Sequence, residues 1–448
     1  MAKFFGTDGI RGKANVFPLD VETVVQIGKS LVLALGTVAP MIVIGRDTRI
    51  SGQVLEHALC AGIKYMGGTS LSAGIIPTPA VSFITKAFAA DAGVVISASH
   101  NPFYDNGLKI FSKNGMKISD EMENRIEDFL AKICEIEKRS LSEHVGVPRY
   151  IHEDALNQYI KFLKNILPEH VSFSGLKVVI DTANGATFAI APILFKELGA
   201  RVEVINNTPD GVNINADCGS EHLASLKKKV IDMSADIGLA FDGDGDRLIA
   251  VDEGGENLSG DQMVFIFAKY LKEKNALSGN ILVGTEMSNI GLQLACEKNG
   301  IFFHKAHVGD KHVMEKLISL GGNLGGEQSG HIIFSDYHFS GDGLISALKL
   351  LEIMVDKKTK LSDLKSDMPV YPQSLINVEI SIKPDIYSIP SILKVIKDAE
   401  NVLKDKGRIL VRYSGTQPLC RIMAEGSDTG ITENLCFRIA EVVKKELN

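Results

Sequence analysis

Five times along this chain a short β-branched or aliphatic run breaks off into a polar segment, most of them glycine-bearing. Met41-Ile42-Val43-Ile44 runs into Gly45-Arg46-Asp47-Thr48-Arg49, and Val94-Val95-Ile96 into Ser97-Ala98-Ser99-His100-Asn101-Pro102. Lys177-Val178-Val179-Ile180 runs into Asp181-Thr182-Ala183-Asn184-Gly185, the apolar stretch 237–241 into 242–247, and Ile281-Leu282-Val283 into Gly284-Thr285-Glu286. Each polar segment is read as leading into a helical pattern. Strands alternating with helices predict an α/β fold with mostly parallel sheets. In such sheets ligands bind in the loops at the carboxyl ends of the strands. The 42 glycines have no G-X-Y period, which fits many tight turns and excludes collagen. No period of solenoid type is present.

With 448 residues, a prior of roughly 150 residues per domain gives about three domains. Breaks in pattern refine this. A charged helical stretch over 120–143 ends at Val145-Gly146-Val147-Pro148, Asp252-Glu253-Gly254-Gly255-Glu256 is a polar hairpin-like break, and Asp367-Met368-Pro369-Val370-Tyr371-Pro372 resembles a linker. The last segment alternates strands (376–382, 408–412, 420–425) with helices (391–403, 433–447), as a small α+β module would. The expected partition is four domains: 1–150, 151–253, 254–368 and 369–448.

Charge narrows the partners. The 48 basic and 55 acidic residues leave a net charge of −7, the wrong sign for a phosphate-backbone binder. No nucleic-acid partner is expected. The longest uncharged run, between Lys29 and Arg46, is broken by Gly36 and Pro40 and falls short of the roughly 18 residues of a membrane span. The N-terminal residues lack the apolar core of a signal peptide. The six cysteines (Cys60, Cys134, Cys218, Cys296, Cys420, Cys436) form no C-x-x-C pair and read as scattered reduced thiols. A soluble cytoplasmic protein is expected.

Chemistry is concentrated in four segments. In Asp242-Gly243-Asp244-Gly245-Asp246-Arg247 three carboxylates alternate with glycines after an apolar strand. Hard oxygen ligands that can converge on one centre suit Mg²⁺. An EF-hand would place Glu253 at its twelfth position, but its sixth must be Gly and is Arg247, and both flanks read as strands. Ser97 to Pro102, with Asp105-Asn106-Gly107-Leu108-Lys109 after it, offers a serine near His, Asn and Lys. Consecutive side chains diverge, so His100 is a poor base for its neighbour, and the segment taken alone reads better as an Asn-Pro turn. Gly326-Glu327-Gln328-Ser329-Gly330-His331 carries a hydroxyl-recognition set for a sugar, or is simply a hairpin. Arg412-Tyr413-Ser414-Gly415-Thr416, with Arg421 beyond, is an anion nest suited to phosphate or a surface arginine by a tight turn. No G-x-S-x-G, G-x-G-x-x-G or H-E-x-x-H occurs, and Gly28-Lys29-Ser30 lacks the first glycine of a P-loop.

Taken together and in this order, the four segments resemble the α-D-phosphohexomutase family over essentially the whole chain. Phe5-Gly6-Thr7-Asp8-Gly9-Ile10-Arg11-Gly12, the stretch 96–109 and Glu327-Gln328-Ser329-Gly330-His331 are most similar to the branch acting on glucosamine phosphates. In the mannose and glucose branches, the alternative reading, position 328 is usually Met.

The resemblance implies three α/β domains with mixed, mostly parallel sheets plus a smaller C-terminal α+β domain, around a central active-site cleft. It implies an intramolecular phosphotransfer, with Ser99 phosphorylated and a hexose 1,6-bisphosphate as intermediate and activator. Asp242, Asp244 and Asp246 would hold one Mg²⁺, completed by a phosphoryl oxygen on Ser99. Lys109 would be the general acid and base, with His100 and Arg11 supporting the phosphoserine. Glu327, Ser329, His331 and Arg247 would bind the sugar. Arg412, Ser414, Gly415, Thr416 and Arg421 would hold the non-reacting phosphate. The partner is a small phosphosugar, and the chain a monomer or homodimer. Three positions depart from the family pattern: Tyr413 stands for Pro, Gln417 for Glu and Lys311 for Arg. Lys keeps the charge of Arg but not its fork.

Overall fold

The β-branched runs become strands and the amphipathic stretches pack over them. The computed structural model describes residues 4–6, 8–137, 148–404, 407–414 and 418–448. The first sheet holds β1 (Ile10–Lys13), β2 (Met41–Arg46), β3 (Thr69–Ile75), β4 (Ala92–Ile96), β5 (Asp105–Ser112) and β6 (Arg149–Tyr150), in the order β1-β5-β4-β2-β3-β6. The second holds β7 (Lys177–Asp181), β8 (Arg201–Ile205), β9 (Ile237–Phe241), β10 (Leu248–Asp252) and β11 (Asn257–Leu258), in the order β11-β10-β9-β7-β8. The third, of β12 (Ile281–Thr285), β13 (Phe302–Ala306), β14 (Leu324–Gly326) and β15 (Ile332–Phe334), runs β13-β12-β14-β15. The fourth, of β16 (Gln373–Glu379), β17 (Gly407–Tyr413) and β18 (Leu419–Gly426), is antiparallel throughout.

All five expected strands form, and so does the strand expected after the carboxylate segment, but the general expectation of a helix after each polar segment fails at two of them. The serine segment leads into β5 and the carboxylate segment into β10, both antiparallel to the strand before. These are turns between antiparallel neighbours, not strand-to-helix turns. The reason is burial. The interior of β5 is buried on both faces, with Asn106 and Lys109 hydrogen-bonded inside it, as is the whole of the mostly apolar β10, which favours a strand over a one-sided helix. Each α/β sheet therefore has parallel strands at its centre and antiparallel ones at a margin. Parallel pairs outnumber antiparallel in the first and third sheets, and the two kinds balance in the second.

The core of the first sheet packs Ile42, Ile44, Val94 and Ile96 against Val24, Ile27 and Leu31 of the helix Val21–Leu35 and Leu55 and Leu59 of the helix Gly52–Tyr65. Each such side chain contributes roughly 1.5–3 kcal/mol by burial. The helix Val21–Leu35 starts at Asp20, whose carboxylate accepts the Thr23 N–H at 2.9 Å, and stops at the left-handed Gly36. Strands β4 and β9 are buried at every residue, so the loops leaving them start from rigid ends. The charged stretch expected over 120–143 forms a helix over Asp120–Glu137, and its remainder lies outside the described residues.

The chain divides into two compact units, one of residues 1–287 and 301–366, the other of 288–300 and 367–448. In the second, the helices Pro390–Leu403 and Thr429–Leu447 cover one face of the fourth sheet, burying Ile392, Ile396, Ile439 and Val443 with Val411 and Ile422. The helix Ile290–Lys298 belongs to this unit and donates its first N–H to Glu425 Oε1 at 2.9 Å. Among the described residues no helix is long and apolar enough to cross a membrane, and Cys60, Cys218, Cys296, Cys420 and Cys436 are free thiols.

Candidate active site

The carboxylate loop starts where β9 ends. The Asp242 carbonyl accepts the Gly245 N–H, and Gly245 takes φ +73°, so the chain reverses within four residues. One carboxylate oxygen from each of Asp242, Asp244 and Asp246 lies within 4.8 Å of the others, and all three residues are buried. Gly243 is needed for a different reason. A Cβ there would stand 2.6 Å from the Ser99 carbonyl oxygen and 2.7 Å from Asn215 Nδ2. Only glycine lets this loop reach the serine loop.

Three buried carboxylates repel unless cations sit among them. Lys109 Nζ supplies part of the compensation, 2.8 Å from Asp244 Oδ2 and 3.1 Å from Asp246 Oδ2. Burial works against its charge, but Asp244, Asp246 and Asp8 outweigh that and hold its ammonium well above the ordinary lysine range. The compensation is incomplete. Burial, then Asp246 and Asp244, push Asp242 well above the usual carboxylate range. Asp244 Oδ1 and Asp246 Oδ1 are buried with no hydrogen-bond partner among the described residues. A set of hard oxygens with two unsatisfied acceptors fits a divalent cation.

Ser99 leaves the end of β4 with φ +52°, in the left-handed region. Its hydroxyl donates to Asp242 Oδ2 at 2.5 Å. The expectation that His100 diverges from its neighbour fails here. Its Nδ1 lies 3.3 Å from Ser99 Oγ, because the left-handed turn at Ser99 breaks the alternation that an extended backbone would impose. Burial, then the Arg247 charge, lowers His100 to about 4, so it is a neutral imidazole at pH 7. Arg11, on β1 opposite Gly107 of β5, ion-pairs with Asp8.

Asp8 was assigned no role of its own by the sequence beyond its place in the Phe5 to Gly12 stretch. It lies 3.6 Å from Lys109 Nζ and also pairs with Lys117. Lys117 Nζ in turn lies 2.7 Å from Asp310, across 193 positions of sequence. Asp8 and Asp310 are thus joined through one ammonium. Only the fold brings these residues together, so no local pattern could have marked them.

The Gly326 to His331 segment is the hairpin between β14 and β15, and it also faces the carboxylates. Glu327 Oε1 accepts the Gly309 N–H at 3.0 Å. His331 Nδ1 lies 3.7 Å from Asp246 Oδ1 and its Nε2 3.1 Å from the Gly341 nitrogen; burial opposes its charge, but Asp246, Asp310 and Glu327 outweigh that and raise it to about 9. Asp310 Oδ2 lies 3.5 Å from His331 Nε2. Arg247 donates its backbone N–H to Asp242 Oδ1, and its guanidinium lies 3.5 Å from Glu221. Ser99, Asp246, Arg247, Glu327, Ser329 and His331 all line one cavity of about 340 Å³, with Asp8 and Asp310 also on its wall. That is in the ~300–1,000 Å³ range of small-molecule sites. Lys311 is not on this wall. It ion-pairs with Asp120 and lies 3.7 Å from Glu123, so its departure from the family pattern does not touch the cavity.

In the second unit, Arg412 of β17 lies directly opposite Arg421 of β18. Arg421 Nε is buried with no hydrogen-bond partner among the described residues. Two arginines side by side are unfavourable unless an anion joins them. Ser414 donates its N–H to the Leu419 carbonyl at 2.8 Å, and Tyr413 bonds the Pro384 carbonyl through its hydroxyl at 2.6 Å. Gly415, Thr416 and Gln417 lie outside the described residues.

Comparison with known proteins gives a consistent answer. The phosphoglucomutase/phosphomannomutase alpha/beta/alpha domains I, II and III match residues 2–137, 157–255 and 259–371, and the C-terminal domain of the same proteins matches 375–442. A phosphoglucosamine mutase of Syntrophobacter fumaroxidans is 50% identical over 446 residues, covering 99% of each chain. The fold is shared with a phosphoglucomutase/phosphomannomutase family protein from Burkholderia thailandensis (TM-score 0.80, 24% identity, 100% of this chain and 98% of that one). It is shared also with the N-acetylphosphoglucosamine mutase of Aspergillus fumigatus, solved with GlcNAc-6P and magnesium (TM-score 0.67, 17% identity, 99% and 96%).

Proposed function

The chain belongs to the phosphoglucomutase/phosphomannomutase family, and from that premise we propose that it interconverts glucosamine 6-phosphate and glucosamine 1-phosphate. The observation that carries this reading is the 2.5 Å approach of Ser99 Oγ to Asp242 inside the carboxylate cluster, on the wall of the cavity that Glu327, Ser329 and His331 also line.

In this reading Ser99 carries a phosphoryl group. The bond from phosphorus to Ser99 Oγ breaks as a bond forms to the free hydroxyl of the sugar phosphate. The proton of that hydroxyl leaves, and Ser99 Oγ gains one. Lys109 Nζ, an ammonium beside the cluster, gives its proton to the departing Ser99 Oγ and takes the hydroxyl's proton in its place. The product is a 1,6-bisphosphate. It turns over in the site, and its other phosphoryl returns to Ser99 by the reverse exchange. His100 and Arg11 hold the phosphoserine. Glu327, Ser329, His331 and Arg247 bind the sugar in either orientation, which hydroxyl-directed contacts allow. Arg412, Ser414, Gly415, Thr416 and Arg421 are assigned to the phosphate that does not react.

Asp242, Asp244 and Asp246 would hold Mg²⁺ together with a phosphoryl oxygen on Ser99. When bound, the ion neutralises charge on the phosphoryl in transit, the main requirement of this chemistry. The residues present fit it, since among the described residues two buried carboxylate oxygens of this set accept no hydrogen bond.

The test is turnover on glucosamine, glucose and mannose 1-phosphates, each with a hexose 1,6-bisphosphate. Preference for the amino sugar is expected. Equal or better mannose turnover would overturn it. Free phosphate released faster than isomer would mean a phosphatase.

A further inference from the structure

The reaction assigned above makes no use of Arg49, yet Arg49 is one of the largest fully buried side chains in the molecule. We infer that Arg49, together with Asn215, is a positioning residue for the phosphoryl-carrying serine: the two side chains grip the main chain of the serine loop and so aim Ser99 Oγ. The inference rests on the reading of Ser99 as that carrier.

Every donor of the Arg49 guanidinium is used. Nε donates to Asp47 Oδ2 at 2.8 Å. Nη1 donates to the carbonyls of Pro102 and, at 3.1 Å, Asp105. Nη2 donates to the carbonyls of Ser99 and Asn101, both at 2.8 Å. Four of the five bonds therefore fall on main-chain oxygens of one short loop. Asn215, from the second α/β segment, donates through Nδ2 to two of the same oxygens, Ser99 at 2.9 Å and Asn101 at 3.1 Å. Two donors and two carbonyls close a ring.

The Ser99 N–H is fixed as well, to Ser97 Oγ at 2.9 Å, and that hydroxyl donates to Asp47 Oδ2 at 2.5 Å. Both peptide groups flanking Ser99 are thereby held. This explains how a non-glycine residue keeps φ +52°, a region that persists only where surroundings over-determine it. A buried arginine could serve folding alone. The convergence of a second, independent donor from another segment on the carbonyl of Ser99 itself is the argument for aim. Lysine, with three donors on a point charge, cannot reproduce the planar fork.

The experiment compares wild type, Asn215→Ala and Arg49→Lys for steady-state kinetics, melting temperature, and the rate at which Ser99 takes up a phosphoryl group from a hexose 1,6-bisphosphate, read by intact mass. Misplacing a reacting group by an ångström costs about 100-fold, so roughly 10-fold slower phosphoryl uptake and kcat are expected for Asn215→Ala and about 100-fold for Arg49→Lys, with sugar KM changed less than about twofold. A folded Asn215→Ala with wild-type uptake and kcat, or a loss confined to KM, overturns the inference. If Arg49→Lys does not fold, Asn215→Ala decides alone. Wild type that turns over no sugar phosphate and carries no phosphate on Ser99 refutes the mutase reading instead.

Discussion

Asp242 Oδ2 accepts the Ser99 hydroxyl at 2.5 Å across 143 positions of sequence. The residue proposed to carry phosphate is thus hydrogen-bonded to a residue proposed to bind metal. The serine is already at the place where charge must be neutralised, which is where preorganised sites gain most.

Ser99→Ala should lose more than about 10³-fold in kcat, as removal of a nucleophile does. Its intact mass should show no phosphate where wild type shows one. Asp242→Asn should stay folded and lose roughly 10²–10³-fold, the scale for one electrostatic contact in a transition state. A Ser99→Ala protein with full mutase activity would contradict the mechanism.

Mg²⁺ should raise the melting temperature of chelator-treated protein without any substrate. At a hundred times its dissociation constant a ligand that binds only the folded state adds about 2.7 kcal/mol. Asp244→Asn, which neutralises one carboxylate of the cluster, should lose most of that rise. Equal rises in both proteins, followed by scanning calorimetry, would place the ion elsewhere.

Lys117 joins Asp8 to Asp310, and Asp310 in turn lies beside His331, next to the Gly309 amide that holds Glu327. These side chains are 16–28% exposed, so removing Lys117 should cost less than the ~3–5 kcal/mol of a fully buried pair. Lys117→Met should therefore lower the melting temperature. It should also raise sugar KM, with Ser99 still phosphorylated normally. Burial opposes charge on both acids, but Lys109, Lys117 and Arg11 hold Asp8 well below the usual range, and Lys117 and His331 lower Asp310. A depressed carboxylate contributes stability that is full above its unfolded pKa and lost as pH falls through the folded one. Wild type should keep this contribution down to about pH 4, the ordinary Asp value, and lose it in stronger acid. Lys117→Met should begin acid unfolding at higher pH, measurable by circular dichroism.

Lys311→Arg, which restores the usual family residue, should leave sugar preference within about twofold, because an exposed ion pair such as Lys311 with Asp120 contributes ~0–1 kcal/mol. The three-sugar turnover panel checks this. A changed ranking would mean that Lys311 reaches the substrate after all.

The sequence revealed those parts of the site that are local. Asp242-Gly243-Asp244-Gly245-Asp246 reads as a metal loop because the residues that converge are also neighbours in the chain. The strands ending at Ile96 and Phe241 were equally plain, being short apolar runs with abrupt polar ends. The partner of the second was also legible, as the apolar strand flank after Arg247, but the hairpin partner of the first was harder. Strand β5 carries Asn106, Gly107 and Lys109 among its apolar residues, and these polar groups are buried only because the fold gives them partners. His100 was misjudged because a positive φ at Ser99 cannot be read from a serine. Asp8 and Arg49 lay within segments already marked, yet nothing local gave them, or Asn215, a role. Their roles depend on carbonyls and charges contributed from elsewhere in the chain.

The excursion of residues 288–300 into the second unit has a practical meaning for anyone cutting this gene. The backbone passes between the units three times, near 287, 300 and 366. A fragment ending at Ser366 would leave the helix Ile290–Lys298 without the Glu425 carboxylate that holds its first N–H, and without the Pro369 carbonyl on which Gly291 rests too closely for any side chain. A fragment beginning at Asp367 would lack that helix altogether. Neither half is a natural expression unit. Swapping C-terminal modules between relatives requires two splice sites, so that residues 288–300 travel with the tail.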